Sequence, residues 1–189
     1  MPYLNYEKSF IASVQCVTPD YCGFWDCAEL VEGDAGVERK LGDWLTVHNC
    51  PQAENHLFRF DCYYDANGYC GYVIQSHSKS QGRAWSSTGI RFGFSTNGYV
   101  ALYPVKGGPN AFWKPKVLRD GAETDLIDSL SEGVIDNVRV RSPDTWTLKA
   151  LKRVEIGDYW HVYVNDAEGP TMNLSLHIQS LGFEDLDDH

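Results

Sequence analysis

The strongest constraint on this chain is the spacing of its turn signals. Asn-Gly at 67–68 and 97–98 and Gly-Asp at 157–158 each interrupt runs in which aromatic and β-branched residues alternate with polar ones. That pattern marks antiparallel hairpins. Strands are expected over 10–17, 57–64, 69–77, 89–95, 99–105, 134–141, 145–154, 159–165 and 172–181. Helical signals are sparse. The better candidate is 118–131, where Asp120 would cap a turn before Leu126, Ile127 and Leu130, and the other is 26–31. Roughly nine short strands with frequent turns predict an all-β fold, a two-sheet antiparallel β-sandwich with one or two short helices. With no repeat and no linker, residues 1–183 read as a single domain and 184–189 as an acidic C-terminal tail.

Charge narrows the partners. A net charge of -10 and a pI near 4.9 leave no electrostatic footprint for nucleic acid or an anionic membrane. No apolar run approaches the roughly 20 residues that span a bilayer. The opening "MPYLNYEKSF" lacks the basic and apolar regions of a secretion signal. Six cysteines, Cys16, Cys22, Cys27, Cys50, Cys62 and Cys70, crowd into the first 70 residues. An even count so placed predicts disulfides in an oxidising compartment, hence a mature extracellular chain. Without a Cys-x-x-Cys pair, a zinc site lacks its usual spacing, and no metal ligand set stands out.

Alternation sorts the hairpin "FRFDCYYDANGYCGYVIQSH" into two faces. Phe58, Phe60, Cys62, Cys70, Tyr72 and Ile74 form the apolar, inward set. Arg59, Asp61, Tyr63, Gln75 and His77 point the other way. A three-residue loop within this turn is expected to set Cys62 opposite Cys70 and allow a bond between them, while a two-residue loop at Asn67-Gly68 would break that register. In "YWHVYVND", Trp160, Val162 and Val164 point inward, and His161, Tyr163 and Asn165 outward. If the two strands share a sheet, one face would gather Arg, Gln, His, Tyr and Asn side chains.

The segments "GIRFGFSTNGYVALYPV", "DTWTLKALKRVEIGDYWHVYVND" and "MNLSLHIQSLGFEDL" resemble the central and closing strands of concanavalin A-like (laminin-G-type) jelly rolls. The likeness covers roughly 57–183 and implies a fold more than an activity. It favours a carbohydrate-recognising, lectin-like protein with an oligo- or polysaccharide partner. Tyr63, Arg83, Trp85, Trp113, His161 and Asn165 would stack on and hydrogen-bond to sugar. No cofactor is expected, and structural calcium enters by analogy alone. The alternative is a polysaccharide lyase. Arg59, Gln75-Ser76-His77 and Tyr163 fall in the chain order seen in jelly-roll alginate lyases, although the longer motifs of that family are absent. In that reading Arg59 and Gln75 neutralise a uronate carboxylate, and His77 or Tyr163 moves the proton. A glycoside hydrolase lacks its paired carboxylates on one strand. A non-enzymatic structural or toxin-like secreted protein is the remaining class. Asn173-Leu174-Ser175 is an N-glycosylation sequon.

Overall fold

The computed structural model describes residues 2–34, 36–51, 53, 55–77, 90–104 and 111–182. The chain opens with β1 (Tyr3–Cys16), β2 (Gly23–Gly33), β3 (Gly36–His48), β4 (Phe58–Tyr64) and β5 (Cys70–Ser76). Then come β6 (Ile90–Phe94), β7 (Val100–Pro104), β8 (Lys114–Arg119) and β9 (Ala122–Asp125), and a 3-10 turn at Leu126–Ser129. β10 (Gly133–Arg141), β11 (Lys149–Ala150), β12 (Val154–Ile156), β13 (Tyr159–Asn165) and β14 (Leu174–Leu181) follow. They join in one fourteen-stranded antiparallel sheet. No helix among the described residues is long and apolar enough to cross a membrane.

Part of this sheet closes on itself. β14 pairs with β1 and with β10, β10 with β8, β5 with β4, and β4 with β1. The ring is completed by a bridge between Tyr72 of β5 and Trp113, the residue before β8, through two reciprocal backbone hydrogen bonds of 2.8 Å. Gly71 makes this closure possible, because a Cβ there would lie 2.4 Å from Cβ of Phe112. Only glycine lets the two backbones approach so closely.

Strand register puts one face of every ring strand inside. Phe10, Ala12 and Val14 sit beside Phe58, Phe60, Leu176 and Ile178, and Val138 sits opposite Val117. All are buried and share a single core that extends under β2, β3 and β13 through Trp25, Val47 and Val162. Aromatic rings fill the centre. Phe10 stacks on Phe60 at 4.5 Å, Trp25 meets Phe58 edge-on at 5.8 Å, and Phe92 meets Trp113 at 6.0 Å. Burying such rings removes large apolar areas from water and supplies most of the driving force for closure.

The sheet also forks. β4 and β2 occupy the same edge of β1, β4 along Tyr3–Ala12 and β2 at Gln15–Cys16. Beyond Phe24, β2 leaves β1 and pairs with β3 instead, which then pairs with β13 and β7.

All three expected hairpins form, at Asp65–Tyr69, Ser95–Tyr99 and Gly157–Asp158. Both expected helices are overturned. Residues 26–31 lie in β2, and 118–131 are the end of β8, a turn, β9 and a 3-10 turn. Edge pairing of β8 with β9, and of β2 along most of β3, outweighs local helical tendency. The expected strand at 145–154 is broken, with only Lys149–Ala150 and a strand starting at Val154 extended. The acidic stretch "LVEGDAGVERKLG" hides the β2–β3 hairpin from pattern reading, since its middle carries charge on both faces.

Candidate functional site

The parity reading of the outer face holds, but its consequence for exposure does not. Arg59 and Gln75 face each other across β4 and β5, and both are bonded to Asp61. Arg59 Nε donates to one carboxylate oxygen and Gln75 Nε2 to the other, each at 2.6 Å. All three residues are buried. Burial raises the carboxyl of Asp61 above its usual range, while Arg59 and Gln75 pull it back. The donors expected to grip a uronate are thus committed to an internal carboxylate.

Other expected contacts also turn inward. Trp113 is 1% exposed and lies in the core, its indole N–H donating to the Phe92 carbonyl. Asn165 is buried and holds a turn, accepting from the N–H groups of Ala167 and Glu168 and donating to the Glu168 carbonyl. His161 is 0% exposed. The fold thus places these three expected sugar contacts in buried positions. Tyr63 is half-buried with its ring 5.8 Å from Phe112. Tyr163 accepts a hydrogen bond from Leu30 N–H and packs against Trp44, Tyr99 and His161. His77 is half-buried and continues the hairpin by donating its N–H to the Leu57 carbonyl. Arg83, Trp85 and the acidic tail lie outside the described residues.

The expected disulfides are not shown: Cys62 and Cys70 approach without a bond. The hairpin loop runs from Asp65 to Tyr69, held by the Asp65 carboxylate accepting from the N–H groups of Asn67 and Tyr69. Backbone pairing of Asp65 with Tyr69 centres the loop on Asn67 and so sets Tyr64 opposite Cys70 and Tyr72 opposite Cys62. The two cysteines become diagonal neighbours on one face, with sulfurs 3.0 Å apart in a thiol contact. Cys16 and Cys27 are buried in the core.

Two further groupings, neither predicted from sequence, are assembled by the fold. The first sits in the fork of the sheet. Asp26 on β2 lies between Arg39 and His48 of β3 and His56, which stands two residues ahead of β4. Asp26 pairs with Arg39, takes His56 Nδ1 at 2.9 Å, and stands 3.5 Å from His48 Nε2. Cys27 N–H donates to the same carboxylate at 2.7 Å. His48 Nδ1 accepts from Cys50 N–H, so the proton of the neutral ring is on Nε2, facing Asp26. On its far side His56 Nε2 lies 2.6 Å from Ser76 Oγ at the end of β5. His161, cross-strand from His48, has no hydrogen-bond partner on either ring nitrogen among the described residues.

Electrostatics keep these rings neutral. Burial, then Arg39, holds His48 and His56 down to about 4, and burial, Arg39 and His48 hold His161 to about 3. A carboxylate beside a histidine ordinarily favours the imidazolium. Here Arg39 already balances the charge of Asp26, so burial decides the direction.

The second grouping lies at the opposite end of the hairpin. Tyr3 stacks on Tyr64, with centroids 5.5 Å apart and planes 16° from parallel. Tyr3, Tyr6 and Tyr69 are 59%, 45% and 74% exposed, respectively. Tyr3 and Tyr64 are cross-strand partners, and Tyr69 is the last residue of the adjoining loop. The sequence signal was present in "MPYLNY" and "YYDANGY", but only the pairing of β1 with β4 brings the two stretches together. The chain matches no family model, no curated protein and no solved structure, so its site is read from this geometry alone.

Proposed function

We propose that this protein recognises carbohydrate, and that the tyrosine-rich end of the β1–β4–β5 unit is the contact surface. The observation that carries the reading is the exposure of Tyr3, stacked on Tyr64, and of Tyr69 in the adjoining loop. Sugar rings present C–H faces that pack on aromatic planes, while phenol hydroxyls donate and accept hydrogen bonds to sugar hydroxyls. Tyrosine loses little conformational freedom on binding, which suits a shallow platform. The net charge of -10 favours a neutral saccharide over a uronate polymer. The concanavalin A-like jelly roll belongs to the same proposal, supported at the coarser level by an all-β antiparallel chain with one core.

The test is affinity electrophoresis through gels containing neutral or acidic polysaccharides, with the Tyr3→Ala/Tyr69→Ala variant alongside. Both positions are exposed, so the fold should survive. Retardation by a neutral polysaccharide, at least tenfold weaker in the variant, is the expected result. Migration unaffected by every glycan would end the proposal, as would retention that the variant retains in full.

A further inference from the structure

We propose that Ser76 is a nucleophile, with His56 as its general base and Asp26 as the residue that positions His56, in an acyl-transfer site for uncharged esters. This goes beyond carbohydrate recognition and uses a different place on the molecule. Ser76 and Phe58 close one end of the β4–β5 hairpin and Tyr64 and Cys70 the other. Six residue steps at about 3.3 Å each separate them by roughly 20 Å.

The geometry carries the assignment. Three elements distant in sequence converge on one line of contacts: Ser76 Oγ to His56 Nε2 at 2.6 Å, then His56 Nδ1 to Asp26 Oδ1 at 2.9 Å. The roles follow from the chemistry of each atom. An ionised carboxylate only accepts, so the imidazole proton resides on Nδ1. Nε2 then presents its lone pair to the serine hydroxyl, the arrangement that lets histidine take a proton from an attacking oxygen. The Cys27 N–H on Asp26 and the ring of Phe58, 4.7 Å from the His56 centroid, hold both partners in place. His56 and Asp26 are buried while Ser76 is half-buried at the end of its strand, as a nucleophile that meets substrate from outside must be.

The reaction balances with water as the second substrate. Ser76 Oγ bonds to the acyl carbon while its proton passes to His56 Nε2. The bond from that carbon to the alcohol oxygen breaks, and the alcohol leaves with the proton. Water then adds to the acyl group with His56 again taking a proton, which passes to Oγ as the Oγ–acyl bond breaks, releasing the acid and restoring the Ser76 hydroxyl and neutral His56.

The test uses the full chain with a fluorophosphonate probe, which phosphonylates activated serines, and maps the adduct by peptide mass spectrometry. One adduct on the peptide containing Ser76 is expected, absent in Ser76→Ala. In His56→Gln, labelling should slow by at least 100-fold, the scale of a lost general base. Should His56→Gln fail to fold, the Ser76→Ala comparison still decides, because it removes a single oxygen from a half-buried side chain. An unlabelled wild-type protein overturns the proposal, as does an adduct elsewhere or a rate that His56→Gln leaves unchanged. In those cases the Asp26–His56–Ser76 contacts are a latch between the loop and the sheet. Glycan retention is read separately, so either idea can fail alone.

Discussion

Lowering the pH should unfold this protein through its three buried histidines. His48 and His56 are held to about 4 and His161 to about 3, against about 6.5 in an unfolded chain. The folded values lie below the unfolded ones, so protons bind the unfolded state first. Stability is therefore fully present above pH 6.5 and is lost as the pH falls toward 4. At about 1.4 kcal/mol per pH unit and proton, His48 and His56 each account for about 3 kcal/mol over that window. With His161, and with mutual repulsion as the rings charge, the total is on the order of 10 kcal/mol, comparable to the whole stability of a domain. Near pH 5 the unfolded chain holds almost three more protons than the folded one, a slope of about 4 kcal/mol per pH unit.

Urea unfolding from pH 7.5 to 5.0 at constant ionic strength measures this slope. His161→Phe provides the internal control, because His161 has no hydrogen-bond partner among the described residues and packs against Tyr163. The variant should lose about a third of the slope. At pH 7.5 it should be as stable as the parent or up to about 2 kcal/mol more so, since an unsatisfied buried polar group is removed. A parent slope below one proton between pH 5 and 6.5, or an unchanged slope in His161→Phe, would refute the reasoning.

Asp61→Ala should cost about 3–5 kcal/mol by urea titration, because it strips a shared carboxylate from the buried donors Arg59 and Gln75. A loss below about 1 kcal/mol would mean that water reaches this cluster. In the native state the exposed Cys22 should react with a thiol reagent before the buried Cys16 and Cys27, as followed by peptide mass spectrometry, and equal rates at the three positions would contradict this ordering.

What could be read from the sequence was local. Side-chain alternation in 57–64, 69–77 and 159–165 assigned Phe58, Phe60, Tyr72, Ile74, Trp160 and Val162 to the core, and all six are buried. The turn residues placed the hairpins. The centre of the loop was not legible: Asp65 pairs with Tyr69 and its carboxylate holds the turn around Asn67, which places Cys62 opposite Tyr72 rather than Cys70. The candidate site was legible in fragments. Gln75-Ser76-His77 drew attention to this strand end, yet the expected roles went to the flanking Gln75 and His77 and none to Ser76. His56 stands in a loop without any periodic signal, and its partner Asp26 was read as part of a helix.

The sequence by itself determined an acidic, all-β chain, the inward face of its clearest strands and the position of three turns. These depend on backbone alternation and turn chemistry, which act over a few residues. Only the tertiary structure decided that β4 and β2 share one edge of β1, that Trp113 closes a ring against Tyr72, and that outward-facing Arg59, Asp61, His161 and Asn165 are nonetheless buried. Each depends on contacts between segments tens of residues apart, whose choice of partner is set by the packing of the whole core rather than by any local pattern.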